Sequence, residues 1–243
     1  MKLIKLNAID STNSYLKQLA AQSELEDYTV VMAENQTAGR GQMGTNWVSE
    51  PGKNLTFSIF KYINTLNKDN QFYISMAVAL CIYDVLNAFT IPQLRIKWPN
   101  DILSVNSKVC GILIENQIKN GQLEAAVIGI GLNLNQSDFD GVLNASSLKQ
   151  ITGVIYDKEE MMVLIVDSLR KYEKLIREGQ LHELHQRYEE KLFRKDKPST
   201  FKDRSGELFM GFIRGVTEQG KLMVMIEDHS ICEYDLKEIT LLY

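Results

Sequence analysis

The 243-residue chain reads as an α+β protein: a mixed or antiparallel sheet with helices, followed by a small β-barrel-like C-terminal part. Three observations point there. Leu55, Phe57 and Ile59 alternate with Thr56, Ser58 and Phe60 in period-2 spacing, while a long run nearby repeats at helical spacing. Two further strand-like runs, "KVCGILIENQI" and "LEAAVIGIGLNLN", meet around Asn120-Gly121, a strong hairpin signal. Near residue 194 the basic "LFRKDKPST" gives way to short strand-like pieces, about five in the last fifty or so residues, with Gly206, Gly211, Gly215 and Gly220 between them. We therefore expect one domain over residues 1–193 and a second over 194–243.

From the N-terminus, "DSTNSYLKQLAAQ" offers Ser11 as a helix cap and sets Leu16, Leu19 and Ala20 on one face. "YTVVMAE" is β-branched and apolar, as a strand requires. Next, "GRGQMGTNW" carries Gly39, Gly41 and Gly44 in the G-x-G-x-x-G spacing of a dinucleotide site. In that fold a helix opens from the glycines and its N-terminus holds the pyrophosphate. Here Pro51-Gly52 marks a turn and the period-2 strand follows, so the loop joins two strands and the Rossmann reading fails. A protein kinase also sets a glycine loop between strands, but no H-R-D, D-F-G or A-P-E follows.

"QFYISMAVALCIYDVLNAF" places Ile74, Val78, Cys81, Val85 and Phe89 at helical spacing and reads as a buried helix, ended before Pro92. "QLRIKWPND" puts Leu94, Ile96 and Trp98 on one strand face and Lys97 on the other, before a turn at Pro99-Asn100-Asp101. Asp157 and Glu160 form a capping pair for a helix with Leu164, Leu169, Tyr172 and Ile176 on its apolar side, interrupted or ended by Gly179.

Composition narrows the function classes. Apolar residues at 44% and charged residues at 24% are ordinary for a globular chain. A net charge of −4 leaves no global footprint for nucleic acid or an anionic membrane. No apolar run reaches the roughly 18–20 residues of a membrane span, and "MKLIKLNAID" is too short and polar for a signal peptide. Cys81, Cys110 and Cys232 are odd in number and form no C-x-x-C, so neither a disulfide frame nor a zinc site is indicated. His182 and His185 lack a third ligand and read as a solvated helix face; His229 is assigned no role. A reduced, cytoplasmic setting is expected.

Polar groups gather at strand ends and turns in four places: Ser11-Thr12-Asn13, Gln36 with the glycine loop, "KWPND", and Lys108 beside Gly111. Arg40 and Lys108 are two cations placed to converge on an anionic substrate. Each also has a plainer use: Ser11 as a cap, Lys108 as a solvated strand-end lysine, and the Pro-Asn-Asp segment as a turn.

In order, "DSTN", "AENQTAGRGQMG" followed by Thr45 and Trp47, "KWPNDI", "KVCGILIE" and "VIGIGLNLN" closely resemble the biotin–protein ligase family. The likeness covers most of residues 6–135, and the C-terminal segment resembles the SH3-like domain of the same enzymes. It implies the class II synthetase-like biotin/lipoate ligase fold and two reactions. Biotin and ATP give biotinyl-5′-AMP and pyrophosphate; the biotinyl group then passes to one lysine of a biotin carboxyl carrier protein. A free carboxylate is a poor acyl donor, and adenylation supplies AMP as a leaving group. Bringing a carboxylate to a phosphate demands cations, with Mg²⁺ on the polyphosphate.

The resemblance assigns biotin contacts to Ser11, Thr12, Asn13, Gln36, Gly39, Arg40, Gly41, Gln42, Lys108 and Gly111. Asn and Gln suit a ureido ring because they donate and accept. It assigns Arg40, Trp47, Asn100, Lys108, Gly129 and Asn133 to the nucleotide, with Trp47 near the adenine. Lys108, Arg40 and Asp101 form the catalytic set; for Asp101, action on the acceptor lysine and contact with the metal both stay open. Gly39, Gly41 and Gly44 then give a flexible loop that closes over the adenylate and excludes water.

The chain begins just before the catalytic domain, so a short form without the helix-turn-helix of repressor members is expected, and no DNA binding. Some relatives dimerise through sheet edges, which leaves a homodimer open. Lipoate–protein ligases are the nearest alternative, with different glycine-loop and K-W-P-N-D contexts. One departure stands out. Many relatives read G-R-G-R-R-G-R, whereas Gln42, Met43 and Thr45 occupy the later basic positions here. The adenylate is then expected to be held less tightly, unless Trp47 or Met43 compensates or position 42 faces solvent.

Overall fold

The structure, a computed structural model, describes residues 1–119, 122–139 and 144–243. Its first unit opens with β1 (Lys2–Ile9), α1 (Thr12–Gln22), β2 (Thr29–Gln36), β3 (Leu55–Tyr62) and α2 (Phe72–Ala88). It continues with β4 (Leu94–Lys97), β5 (Asp101–Ser104), β6 (Ser107–Lys119), β7 (Gln122–Leu132), α3 (Leu148–Thr152), α4 (Lys158–Arg177) and α5 (Leu181–Glu190). The strands form a seven-stranded sheet in the order β1-β2-β3-β7-β6-β5-β4. Only the edge pair β1–β2 is parallel, so the sheet is mixed. The expected Asn120-Gly121 turn lies outside the described residues; the flanking strands pair from Cys110↔Leu132 to Lys119↔Gln122.

Both faces of the central strands are covered. Phe57 and Ile59 join Ile128, Ile130 and the α2 and α4 side chains in the main core, while Phe60, Val31 and Val127 pack beneath Leu16 of α1. That double cover explains why the polar members of the β3 alternation are buried as well: Thr56 donates to the Ala33 carbonyl at 2.9 Å. It also explains α2. The stretch Lys68–Ala88 is long and apolar enough in composition to cross a bilayer, contrary to expectation. Here it is the core helix, with Val78, Cys81 and Ile82 sealed.

Two expectations are corrected in α4 and the C-terminal strands. Met161, Met162, Ile165, Val166, Leu169 and Tyr172 form the buried stripe of α4, and Leu164 falls on its flank, 38% exposed. The C-terminal strands β8 (Pro198–Asp203), β9 (Leu208–Val216), β10 (Leu222–Met225), β11 (Ile231–Tyr234) and β12 (Ile239–Leu242) form a second, antiparallel sheet in the order β11-β10-β9-β8-β12. Its two edges, β11 and β12, leave it consistent with the expected SH3-like barrel, though hydrogen bonding does not close it. Gly206 and Gly220 sit in its turns with φ of +91° and +90°, but Gly211 and Gly215 lie inside β9.

Candidate active site

The glycines of β6 and β7 position the site. Gly111 pairs with Gly131 and Leu113 with Gly129, on the sheet face that also carries α1. Beyond the N-terminus of α1 that face is therefore nearly bare, and a cleft of about 340 Å³ opens over it. All the sequence-derived site residues line this cleft except Gly39 and Asn133.

One wall is polar. Ser11 caps α1, its hydroxyl accepting from the Ser14 amide at 3.5 Å. The cap points Thr12 and Asn13 at the sheet, where both are buried. The Thr12 amide and hydroxyl donate to Gln36 Oε1 at 2.8 and 3.0 Å. Ser58 Oγ lies 2.7 Å from Thr12 Oγ1 and 2.6 Å from Asn13 Oδ1. Asn13 Nδ2 donates to Glu115 Oε2 at 2.9 Å. A Cβ at Gly129 would overlap the Asn13 amide, so Gly129 lies against this wall.

The cations stand on either side of the floor. Arg40 Nη2 reaches Glu115 Oε2 at 2.5 Å, and Lys17 reaches the other oxygen at 2.8 Å. Burial pushes the Glu115 carboxyl up, but hydrogen bonds from Lys17 and Asn13 and the Arg40 charge outweigh it and leave the group below its ordinary value. Lys108 gets to the floor through a bulge. The β5–β6 register shifts so that Ile102 faces Cys110 and Leu103 faces Lys108, leaving Val109 as the extra residue. The shift turns Lys108 onto the cleft face, with its stem over Gly111. Lys108 Nζ lies 2.7 Å from Asp101 Oδ1, and Lys97 Nζ lies 3.9 Å from Oδ2. Burial holds the Lys97 ammonium below its ordinary pKa; Asp101 opposes this and Lys108 adds to it.

Trp47 roofs the floor. A Cβ at Gly111 would come within 2.9 Å of its ring, and one at Gly131 would overlap it. The space that Gly111 leaves is thus filled by the Trp47 indole and the Lys108 stem. Lys108 Nζ stands 5.6 Å from an indole centroid, and Trp47 Nε1 is buried without a hydrogen-bond partner among the described residues. Asn100 borders the cleft while tying β5 to β6: its amide donates to the Ile112 carbonyl at 2.7 Å.

The two exceptions act from behind. Asn133 is buried, and its amide donates to the carbonyls of Lys108 at 3.4 Å and Ser146 at 3.1 Å, fixing the backbone that carries Lys108. Gly39 lets the loop close on itself: Trp47 N donates to its carbonyl at 2.9 Å, and a side chain there would strike the Trp47 carbonyl. Glu115, Ser58 and Gly131 were not singled out from sequence. Glu115 ends the quoted "KVCGILIE", and Gly131 repeats Gly129 two residues on, which on a buried strand means that something must approach that face.

A profile of the Biotin/lipoate A/B protein ligase family matches residues 6–133, which include every element of the cleft except its C-terminal rim. The chain belongs to this family. Among curated relatives of this ligase chain, the bifunctional ligase/repressor BirA of Escherichia coli (strain K12) is 30% identical over 221 residues, 90% of this chain and 68% of that protein. The biotin–[acetyl-CoA-carboxylase] ligase of Paracoccus denitrificans is 31% identical over 171 residues, 68% of this chain and 70% of that one. Among solved structures, the biotin protein ligase from Aquifex aeolicus in complex with biotin and ATP superposes with a TM-score of 0.82 at 26% identity, covering 99% of this chain and 98% of that one. The mixed sheet with a second antiparallel C-terminal sheet is the architecture of these ligases.

Proposed function

We propose that the cleft carries out ATP-dependent protein biotinylation: adenylation of biotin with release of pyrophosphate, then transfer to a lysine of a biotin carboxyl carrier protein. The observation that carries this reading is one cleft in which the donor-and-acceptor wall of Thr12, Asn13 and Gln36 lies beside two cations, Arg40 and Lys108. The wall matches a ureido ring, and the cations match the junction of a carboxylate with the α-phosphate.

In the first step a biotin carboxylate oxygen attacks the α-phosphorus and pyrophosphate departs. Negative charge builds on the phosphoryl oxygens, and a fixed ammonium such as Lys108 stabilises it without reorganising. Arg40 must leave Glu115 to help, which an incoming carboxylate makes favourable by replacing one anion with another. In the second step the carrier lysine, as free amine, attacks the acyl carbon, and AMP departs. Asp101 is the nearest carboxylate on the cleft wall and is assigned to that lysine. The same donor set bears on Mg²⁺. Asp101 is the one carboxylate lining the cleft among the described residues, and two lysines already face it. These residues fit a Mg²⁺ that arrives on the triphosphate with at most one protein ligand, and its contribution would be to neutralise the departing pyrophosphate. Two measurements test the proposal: pyrophosphate release dependent on both biotin and ATP, with lipoate as control, and the mass of a carrier domain after incubation. Release with lipoate but not biotin would overturn it.

A further inference from the structure

The glycine loop is built as a small hairpin whose hydrogen bonds stay largely within it. Gly41 N donates to the Thr45 carbonyl at 2.7 Å, Thr45 N and Oγ1 donate to the Gln42 carbonyl at 3.1 and 2.8 Å, and Arg40 bridges Asn46. The base is anchored by the Arg40–Glu115 pair and the Trp47 ring. The tip is not. Met43 is 62% exposed, sits at φ +51°, and lies in a stretch, residues 42–45, that carries no charged side chain. Among the described residues the tip has one hydrogen bond to the rest of the molecule: Lys237 Nζ, in the β11–β12 turn, donates to the Met43 carbonyl at 2.7 Å.

Lys237 is also the only charged side chain that β8–β12 and their turns add to the cleft lining among the described residues. Its turn is braced: Asp235 Oδ1 accepts from the Leu236 amide and Glu238 Oε2 from the Asp235 amide, both at 2.7 Å. Lys237 itself stands at φ +61°, in the left-handed region that favours glycine.

We propose that Lys237 is a positioning residue: a clasp by which the C-terminal sheet holds the glycine loop closed over the cleft, in place of the charge that Gln42, Met43 and Thr45 do not supply. It rests on the adenylating function proposed above. Its chemical consequence is retention: biotinyl-AMP is a mixed anhydride, and an open loop admits water to it or lets it leave. The hydrogen bond is charge-assisted but exposed, so its loss should loosen the loop by about tenfold, the change expected from roughly 1.4 kcal/mol.

The experiment compares the full chain with Lys237→Ala and Lys237→Arg by two readouts. The first is hydrogen exchange at residues 41–46 without ligand, which requires no activity. Faster exchange in Lys237→Ala, restored in Lys237→Arg, with an unchanged melting temperature, supports the clasp; identical exchange in all three proteins overturns it. The second is AMP formation from biotin and ATP without a carrier. A rise of about tenfold in Lys237→Ala at unchanged biotin affinity supports retention. A higher KM for ATP with no added AMP formation would mean that Lys237 contacts phosphate and is no clasp. If the unaltered protein makes no AMP while the exchange difference stands, the adenylating function fails and the clasp survives.

Discussion

We propose that Lys108 and Glu115 divide the work of the site between them. Lys108 is held by Asp101 on one side and by the Asn133-braced backbone on the other, yet its ammonium still faces the cleft. Lys108→Ala is expected to lower pyrophosphate release by on the order of 10²–10³-fold, the usual loss for an electrostatic stabiliser. The variant should still fold, with a lowered melting temperature, because the substitution leaves the mostly buried Asp101 facing only Lys97 at 3.9 Å. Adenylation close to normal in a folded variant would take Lys108 out of the chemistry. Glu115 joins Asn13, Lys17 and Arg40, which come from the polar wall, α1 and the glycine loop. Arg40 and Lys17 are 41% and 43% exposed, so their ion pairs contribute little in water. The Asn13 bond is different, being buried on one side and made to a charge, a class worth about 1.5–3 kcal/mol. Glu115→Ala should therefore raise the KM for biotin about tenfold or more, while Glu115→Gln, which keeps an acceptor for Asn13, should raise it much less. Equal KM values in the two variants would show that Asn13 is held without Glu115, by its donation to the Leu113 carbonyl at 3.2 Å and by Ser58.

At the scale of elements, the glycine loop shows what sequence patterns can and cannot convey. That it joins two strands was legible, because Pro51-Gly52 and the Leu55, Phe57, Ile59 alternation leave no room for a helix. That its 42–44 segment is a 3₁₀ turn with Met43 in the left-handed region was not. Lys108 needed the Val109 bulge to reach the cleft, and a bulge leaves no periodic signature. β1 was also missed: it is an edge strand with most of its residues half-buried or exposed, so its alternation is weak. Gln42 lines the cleft and is half-buried, which favours contact with the adenylate over a solvent-facing role. Gln42→Arg is therefore expected to slow carrier-independent AMP formation several-fold, since a charge-assisted bond replaces a neutral one, with biotin binding unchanged. Equal rates in both proteins would leave the loop's hold to its glycines, Arg40, Trp47 and Lys237.

At the scale of the whole molecule, the two sheets are separate in hydrogen bonding but not in packing. Backbone bonding passes from the first to the second between Phe193, whose amide donates to Ile96, and Lys195, which bridges Ile213. We propose residues 194–243 as a domain on that ground. Its composition shift was readable in sequence; its dependence on the larger unit was not, because Phe201, Ile213, Val216, Leu222 and Val224 look like the core of an independent module. They join the same buried cluster as α2 and α5 instead. Trp98 Nε1 adds a bond to the Gly220 carbonyl at 2.8 Å. The polar part of this junction is Glu189, which accepts from the Val216 amide at 3.0 Å and Lys195 at 2.8 Å and faces His185 at 3.3 Å, while His185 Nε2 lies 2.9 Å from the Val216 carbonyl. Burial opposes the Glu189 charge, but His185, Lys195 and the Val216 amide together lower its pKa from 4.5 to about 2. A depressed carboxyl stabilises above its unfolded value and loses that contribution as pH falls through the folded one, here between about 4.5 and 2. His185 is shifted the other way, raised above 6.5 mainly by its bond to Glu189, so its contribution is complete below 6.5 and fades as pH rises through the folded value. The two windows overlap between about pH 4.5 and 6.5. The melting-temperature difference between the unaltered chain and Glu189→Gln should be largest in that interval, shrink toward pH 2, and narrow again above the folded His185 value. A difference that stays constant with pH would mean that apolar packing alone docks the C-terminal sheet, and that the charges at Glu189 and His185 merely accompany it.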